Sequence, residues 1–250
     1  MKRPAIRLLT ALTLSLSLSG QVTALPTPAP KTSSPSIAGD RLVASLALQA
    51  PNLDRTVLDT ALSAMSCAVT SGLAAAERLA IIDFSLPSSQ PRLWIFDLGS
   101  RTLLHEELVA HGRNSGDNLA TAFSNREGSY QASLGLFRAS ESYFGRHGYS
   151  LRMDGLEPGI NDLARQRAIV IHGADYVDRG WVDRQGRIGR SLGCPAVSRE
   201  VADQVVDTLK GGQFVFSYYP DKEWLRSSAY LNCQPERIAA TVASLEVGGG

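Results

Sequence analysis

The sequence has little excess of charge of either sign and no long apolar run. Its 25 Lys and Arg residues nearly balance 24 Asp and Glu residues, which leaves a formal net charge of +1. Because phosphate binding needs a clustered basic surface, this balance argues against nucleic acid as the main partner. The apolar stretch at residues 8–18 is shorter than the roughly 20 residues of a spanning helix, and no later segment approaches that length. We therefore expect the mature protein to be soluble, without stable insertion in a membrane.

Residues that bind metals are also scarce. The chain has three cysteines and four histidines, and neither a C-x-x-C nor an H-x-x-x-H spacing is present. One candidate cysteine and one candidate histidine would leave two ligands of a tetrahedral site unnamed, so we predict no metal site. In an oxidising compartment cysteines tend to pair, and an odd number leaves at least one free or joined to another chain.

The N-terminal segment has the pattern of a secretory signal. A positively charged start, MKRPAIR, precedes the apolar stretch, and VTA at residues 22–24 resembles a small-residue cleavage site. This pattern predicts a signal peptide at residues 1–24 and secretion across the inner membrane. The alternative is an anchor that is never cleaved. No cysteine follows the cleavage region, which argues against a lipoprotein anchor.

Composition divides the rest of the chain into four parts. Residues 25–40 contain four prolines and several small polar residues, which predicts an extended linker. Residues 41–78 have apolar side chains at helical spacing, with Asn52 as the expected N-cap and Gly72 as the expected stop. Residues 79–222 contain most of the strand-like runs, and residues 223–250 form a C-terminal tail.

The part from 79 to 222 predicts a mainly β (α+β) domain. Runs rich in β-branched and aromatic residues alternate with Gly, Asn, Ser and Pro clusters, and Asp97-Leu98-Gly99-Ser100 predicts a hairpin turn. The run FVFSYY has the pattern of a core strand. SREVADQVVDTLKGG predicts one late helix, capped by Ser198 and ended by Gly211. We expect the helical segment 41–78 to pack against this domain.

Two side chains carry the chemistry that is most easily read from the sequence. Cys194 lies between Gly193 and a proline, close to the predicted start of the late helix. A thiol becomes a nucleophile when a base or a helix N-terminus favours its deprotonation. His172 directly follows the strand-like run 168–171, which would place its imidazole at the edge of a sheet. On spacing alone, a buried inert cysteine or a structural disulfide remains the alternative.

The stretches IVIHGADYV and GRIGRSLGCPAV resemble the L,D-transpeptidase catalytic domain (YkuD-like) family, whose signature is His-Gly followed by Ser-x-Gly-Cys. They are most similar to the murein L,D-transpeptidase branch, in which Pro-Ala follows the cysteine. Further stretches, among them RLWIFDL, LVAHGRNSGDN and FSNREGSYQASLGLF, extend the resemblance over about residues 52–220. The fold that it implies is a YkuD-like β-sandwich with one helix after the nucleophile.

The resemblance implies roles for six residues. Cys194 matches the family's nucleophile and His172 its general base, while Ser191 and Gly193 match the Ser-x-Gly positions. Backbone N–H groups near Gly193 and Cys194 would hold the oxyanion. Gly173 would let a substrate or another backbone segment approach closely. Arg190 is either the cation for a substrate carboxylate or a surface arginine.

Two features depart from the family pattern. Many members have a second histidine directly before the Gly-Cys, where this chain has Leu192, and an Arg or Asn shortly after the cysteine, where this chain has Pro195 and Ala196. A leucine cannot bind or relay a proton, so that function is lost or is provided by another residue. A catalytic Cys194 is expected to react with iodoacetamide as a thiol of low pKa.

The implied reaction is acyl transfer on peptidoglycan stem peptides in the periplasm or at the cell wall. Cys194 would expel the terminal D-alanine and form a thioester, which an amine of a second stem would accept to give a 3→3 cross-link. No cofactor is needed, because a thiolate, a base and an oxyanion hole suffice. The alternatives are an L,D-carboxypeptidase that uses water as acceptor and a non-catalytic wall-binding scaffold.

Four further polar residues and a cysteine pair have open roles. His111 and His147 could line the cleft or be structural, and His105 is expected at the surface or in cross-strand pairing. Asp175 could orient the base, although a loop Asp more often forms a turn and a backbone carbonyl can orient the base instead. Cys67 and Cys233 could form a disulfide that closes a long loop.

Overall fold

The computed structural model describes residues 37–233. The predicted signal peptide, linker residues 25–36 and tail residues 234–250 lie outside the described residues. The first described element is helix α1 (Ile37–Gln49), followed by α2 (Arg55–Thr70). Helix α1 starts inside the range 25–40 that composition assigned to a linker. It buries Leu42, Val43 and Leu46, which lie in the range 41–78 where a helical pattern was predicted, so only the first turn of α1 falls in the linker range.

The N-cap of α2 differs from the one that we predicted. The carboxylate of Asp54 accepts hydrogen bonds from the backbone N–H groups of Thr56 (2.6 Å) and Val57 (3.4 Å), so Asp54 caps the helix. The Asn52 amide instead donates to the Glu106 carboxylate at 3.0 Å. Gly72 follows the last turn with φ of 106°, which agrees with its predicted role as the stop.

Eight strands form one mixed sheet in the order β3-β2-β1-β8-β4-β5-β6-β7. The pairs β1–β8 and β6–β7 are parallel, and the other neighbours are antiparallel. This architecture confirms the mainly β prediction, and the predicted turn at 97–100 does join β2 to β3. The strands are β1 (Arg78–Asp83), β2 (Leu93–Asp97), β3 (Thr102–Glu107), β4 (Gly135–Gly145), β5 (Gly148–Gly155), β6 (Val170–Gly173), β7 (Ala196–Val197) and β8 (Phe214–Tyr218).

Three more helices follow β6. The first lies before Cys194 and the other two lie after it, where one helix was predicted. They are α3 (Arg179–Gln185), α4 (Arg199–Leu209) and α5 (Lys222–Ser227). Helix α3 buries none of its side chains, so it has no apolar stripe for a sequence pattern to detect. Helix α4 is the predicted late helix. Ser198 occupies its N-cap, but the side chain makes no capping hydrogen bond.

The core lies on both faces of the central strands. Strand β8 runs between β1 and β4, and Phe214, Val215 and Phe216 are fully buried, as expected for a core strand. Helix α2 packs against β1 and β8, and α4 packs against β1, β5 and β6. The late helix therefore lies against β6, the strand that carries His172.

A disulfide joins α2 to the C-terminal part of the described chain. Cys67 and Cys233 are bonded, with their Cα atoms 5.9 Å apart, and Cys194 is left as the free cysteine. Cys67 is itself buried within α2. Within residues 37–233, no helix is both long enough and apolar enough to cross a membrane.

Candidate active site

His172 lies in β6, and Cys194 lies in the bend that leads into β7, the strand next to β6. Strand β7 follows Cys194 closely and pairs in parallel with β6, in a register that sets Ala196 opposite His172. Cys194 precedes Ala196 by two residues and lies in a bend just before β7. A backbone hydrogen bond from Val170 to Cys194 agrees with this placement. The sheet thus brings together two residues that are 22 positions apart in the sequence.

The His172 imidazole is buried and its tautomer is determined by a backbone carbonyl. Nδ1 lies 3.0 Å from the carbonyl oxygen of Gly173, and a carbonyl can only accept, so Nδ1 carries the proton. In the neutral ring, Nε2 is then the basic nitrogen. Asp175 does not orient this ring, because its exposed carboxylate forms an ion pair with Arg199.

A second imidazole lies against the first. The exposed ring of His147, in the turn between β4 and β5, stacks on His172 with ring centroids 4.3 Å apart and an angle of 28° between the planes. Sequence reasoning left His147 as either a cleft residue or a structural one. Its contact with His172 makes it part of the site.

The environment favours the uncharged forms of both groups. Burial lowers the pKa of His172, and the nearby charges of His147 and Arg199 lower it further. Burial raises the pKa of the Cys194 thiol, while the Val170 backbone hydrogen bond and the charge of Arg167 act in the opposite direction. Desolvation, the largest of these effects, favours the protonated thiol in the resting protein, and the low-pKa thiol expected of a catalytic Cys194 stays a prediction. The thiol donates to the Ala168 carbonyl at 3.5 Å, as a protonated sulfur can.

Ser191 closes the turn that carries the thiol. Its hydroxyl donates to the Cys194 carbonyl at 2.6 Å and accepts from the Gly193 N–H at 3.0 Å. The Gly193 N–H, which was expected to hold an oxyanion, is thus engaged within the turn. Gly193 has φ of 127°, and a Cβ there would lie 3.0 Å from the Gln131 carbonyl oxygen. Only glycine fits this position without strain.

The remaining residues that the resemblance assigned have other neighbours. Arg190 donates to the carbonyl oxygens of Arg113 (3.3 Å) and Gly116 (2.8 Å) and lies 3.4 Å from the Asp117 carboxylate, so it holds the 113–117 loop.

Gly173 allows α4 to approach, since a Cβ there would lie 2.9 Å from the Ala202 side chain. Leu192 is 59% exposed.

Two histidines lie outside the site. His111 is fully buried, and its Nδ1 lies 2.7 Å from a guanidinium nitrogen of the equally buried Arg92, which also donates to the Val109 and Leu86 carbonyls. Burial and the Arg92 charge lower the pKa of His111 to about 4. His105 is in β3, where Ile95 of β2 is its cross-strand partner, as predicted.

Arg167 is a residue of the site that sequence reasoning missed. Its guanidinium nitrogen would lie 3.6 Å from a Cβ at Gly193, and its charge acts on Cys194. The available signal was its position directly before the strand-like run that leads to His172. Among residues 37–233, no three or more His, Cys, Asp or Glu side chains form a group that could hold a metal ion.

Comparison with known proteins identifies the family of the chain. The model of the L,D-transpeptidase catalytic domain family matches residues 49–218, which is more than half of the chain. The chain belongs to this family. The matched range of the L,D-transpeptidase domain includes β1 to β8, the turn at Cys194 and His172. No curated protein matches the sequence.

Solved structures that match the domain are distant relatives. An L,D-transpeptidase from Mycobacterium smegmatis is 14% identical, with 58% of this chain and 60% of that chain covered and a TM-score of 0.37. The helical cell shape determining protein Pgp2 from Campylobacter jejuni is 14% identical (67% and 54% covered, TM-score 0.41). An L,D-transpeptidase from Stackebrandtia nassauensis is 12% identical, with 80% of this chain and 99% of that chain covered and a TM-score of 0.36. The chain thus spans about three fifths of the mycobacterial structure.

Proposed function

We propose that this L,D-transpeptidase domain transfers acyl groups between peptidoglycan stem peptides, with Cys194 as nucleophile and His172 as general base. The observation that carries the proposal is the register of β6 and β7, in which Ala196 is opposite His172 and Cys194 is two residues earlier. A nucleophile and a base on neighbouring segments are the minimum that covalent acyl transfer requires. Membership of the family supports the substrate class.

The first half of the reaction starts from the neutral Cys194 thiol and the neutral His172 imidazole. Nε2 of His172 takes the proton from Cys194 as Sγ attacks the carbonyl carbon of the third stem residue. The tetrahedral intermediate collapses, the bond to the terminal D-alanine breaks, and the imidazolium gives its proton to the departing amine. The product is a thioester on Cys194. Nδ1 keeps its proton throughout, because the Gly173 carbonyl accepts from it.

The second half transfers the acyl group to an amine. An amine of a second stem attacks the thioester carbonyl, Nε2 of His172 accepts the amine proton, and that proton returns to the leaving sulfur. A 3→3 cross-link forms and the thiol is restored. The Cys194 N–H is our candidate oxyanion donor, since the Gly193 N–H is hydrogen-bonded to Ser191.

Mass spectrometry of the mature protein incubated with a disaccharide-tetrapeptide tests the proposal. We expect a cross-linked dimer, loss of D-alanine and an acyl-protein mass with the unaltered chain, and none of these with Cys194→Ala. Loss of D-alanine without a dimer would assign an L,D-carboxypeptidase that uses water. If neither product forms and both proteins still bind wall fragments, the domain is a wall-binding scaffold and the proposal is wrong.

A further inference from the structure

The guanidinium of Arg167 is anchored entirely by neutral acceptors. Nη1 donates to the Ser124 carbonyl and the Ser133 hydroxyl, and Nη2 donates to the Gln131 carbonyl at 2.7 Å and the Ser129 hydroxyl at 3.2 Å. In the described part of the chain, no carboxylate forms a salt bridge with Arg167. Its positive charge is therefore held in place and has no carboxylate partner among residues 37–233.

The fixed cation lies close to the turn that carries the thiol, and its charge acts on Cys194. Nη2 would be 3.6 Å from a Cβ at Gly193, the residue before Cys194. The next residue after Arg167 is Ala168, whose carbonyl accepts the Cys194 thiol hydrogen bond at 3.5 Å. Ala168 has φ of 54°, an uncommon conformation for a residue with a side chain. The Ala168 carbonyl thus contacts Sγ, and the Arg167 guanidinium lies against the residue that precedes Cys194.

The hydrogen bonds decide which role the cation can have. Four of the five guanidinium N–H donors are already used, so the fork that would bind a substrate carboxylate at two points is occupied. A charge held close to a partly buried sulfur still acts through its field, because low-dielectric surroundings screen it little. Burial lowers the pKa of Arg167 and the charge of Cys194 raises it, which is the reciprocal effect.

We propose that Arg167 is a positioning residue whose fixed charge stabilises the Cys194 thiolate, and that it thereby provides the electrostatic support that Leu192 cannot. The inference rests on the proposed role of Cys194. The proton goes to His172 when the thiolate forms, and the guanidinium keeps its own. Without the cation, desolvation of the sulfur would be opposed only by the backbone hydrogen bond from Val170.

The test is the pH dependence of Cys194 alkylation by iodoacetamide, followed by intact mass, which requires no turnover. We expect Arg167→Gln to raise the alkylation pKa by about one unit or more and to slow alkylation near neutral pH roughly tenfold. Arg167→Lys keeps a positive charge but lacks the two NH2 groups of the guanidinium. The alkylation pKa of Cys194 should therefore stay nearer to that of the unaltered protein. Arg165→Gln removes an exposed arginine that is already paired with Asp154 and Glu141, and should change nothing.

A second variant covers the case in which Arg167→Gln does not fold. Ser129→Asp places a carboxylate next to Nη2 and neutralises the cation in place, so the alkylation pKa should again rise. An unchanged pKa in Arg167→Gln or Ser129→Asp would overturn the inference, as would equal shifts in Arg167→Gln and Arg167→Lys. If the pKa shifts occur but the unaltered protein forms no thioester with the tetrapeptide, the proposed function fails and the electrostatic assignment stands.

Discussion

The ring of His147 covers the ring of His172, with centroids 4.3 Å apart, although His147 is in a turn and His172 is in strand β6. His147 is in the short turn between β4 and β5, and β5 pairs with β6, so the sheet carries the turn to the site. The contact has two effects on His172. It shields the ring from solvent, and the charge that His147 can carry lowers the pKa of His172.

Removal of the His147 ring should therefore raise the pKa of His172. In His147→Ala we expect the acid limb of the kcat/KM profile to move to higher pH by about half a unit to one unit, because both effects are lost. His147→Phe keeps a ring over His172 and removes the charge. Its acid limb should therefore lie between that of the unaltered protein and that of His147→Ala. The measurement is kcat/KM from pH 4 to 8. Coincident limbs for all three proteins would show that the stack does not tune the base.

Local pattern was sufficient to predict the mainly β character of the domain and parts of its sheet. The run 168–171 overlaps β6, the run FVFSYY contains β8, and the turn at 97–100 joins β2 to β3. The capping of α2 was assigned to the wrong residue, since Asn52 and Asp54 are both good N-caps and the choice depends on Glu106 in β3, 54 positions away from Asn52.

The site itself could be predicted only through the family resemblance. Cys194 and His172 become neighbours through the parallel pairing of β6 with β7, and β7 is two residues long, too short to leave a periodic signal. Arg167 was missed for a different reason. An arginine in a polar stretch is ordinarily solvated, and its anchoring by oxygens of residues 124–133 depends on how a distant loop folds.

Gly193→Ala should abolish acyl transfer. The substitution puts a side chain at φ of 127° and brings its Cβ within 3.0 Å of the Gln131 carbonyl, which also holds Arg167. Gly72→Ala is the matched control, because Gly72 has φ of 106° and nothing within 4 Å of the added Cβ. Urea unfolding should show that each loses about 1–3 kcal/mol from backbone strain. Full activity in Gly193→Ala would show that the turn tolerates a shift of the Gln131 carbonyl.

The disulfide between Cys67 and Cys233 should leave one reactive cysteine. Alkylation of the urea-unfolded protein without reductant should add a single label, and alkylation after reduction should add three. Because the crosslink closes a long loop of the unfolded chain, its loss in Cys233→Ser should lower the free energy of unfolding by about 2–5 kcal/mol. Reduction should lower the Tm of the unaltered protein and of Cys194→Ser by the same amount. It should leave the Tm of Cys233→Ser unchanged, because that variant has no disulfide to lose. Three labels without reductant would rule out the disulfide.

The buried pair of Arg92 and His111 should make stability fall in acid. Burial lowers the pKa of Arg92 to about 9, so the cation persists at neutral pH beside a neutral imidazole whose pKa is about 4. In the unfolded chain His111 has its ordinary pKa of about 6.5, so above that pH the neutral ring makes its full contribution to the free energy of unfolding. As the pH falls from about 6.5 to 4, the unfolded chain binds the proton first, and about 3 kcal/mol of that free energy is lost. His111→Gln can still accept from Arg92 and does not titrate. In urea unfolding from pH 7 to pH 4 its stability should fall less steeply, and parallel curves for the two proteins would contradict the assignment.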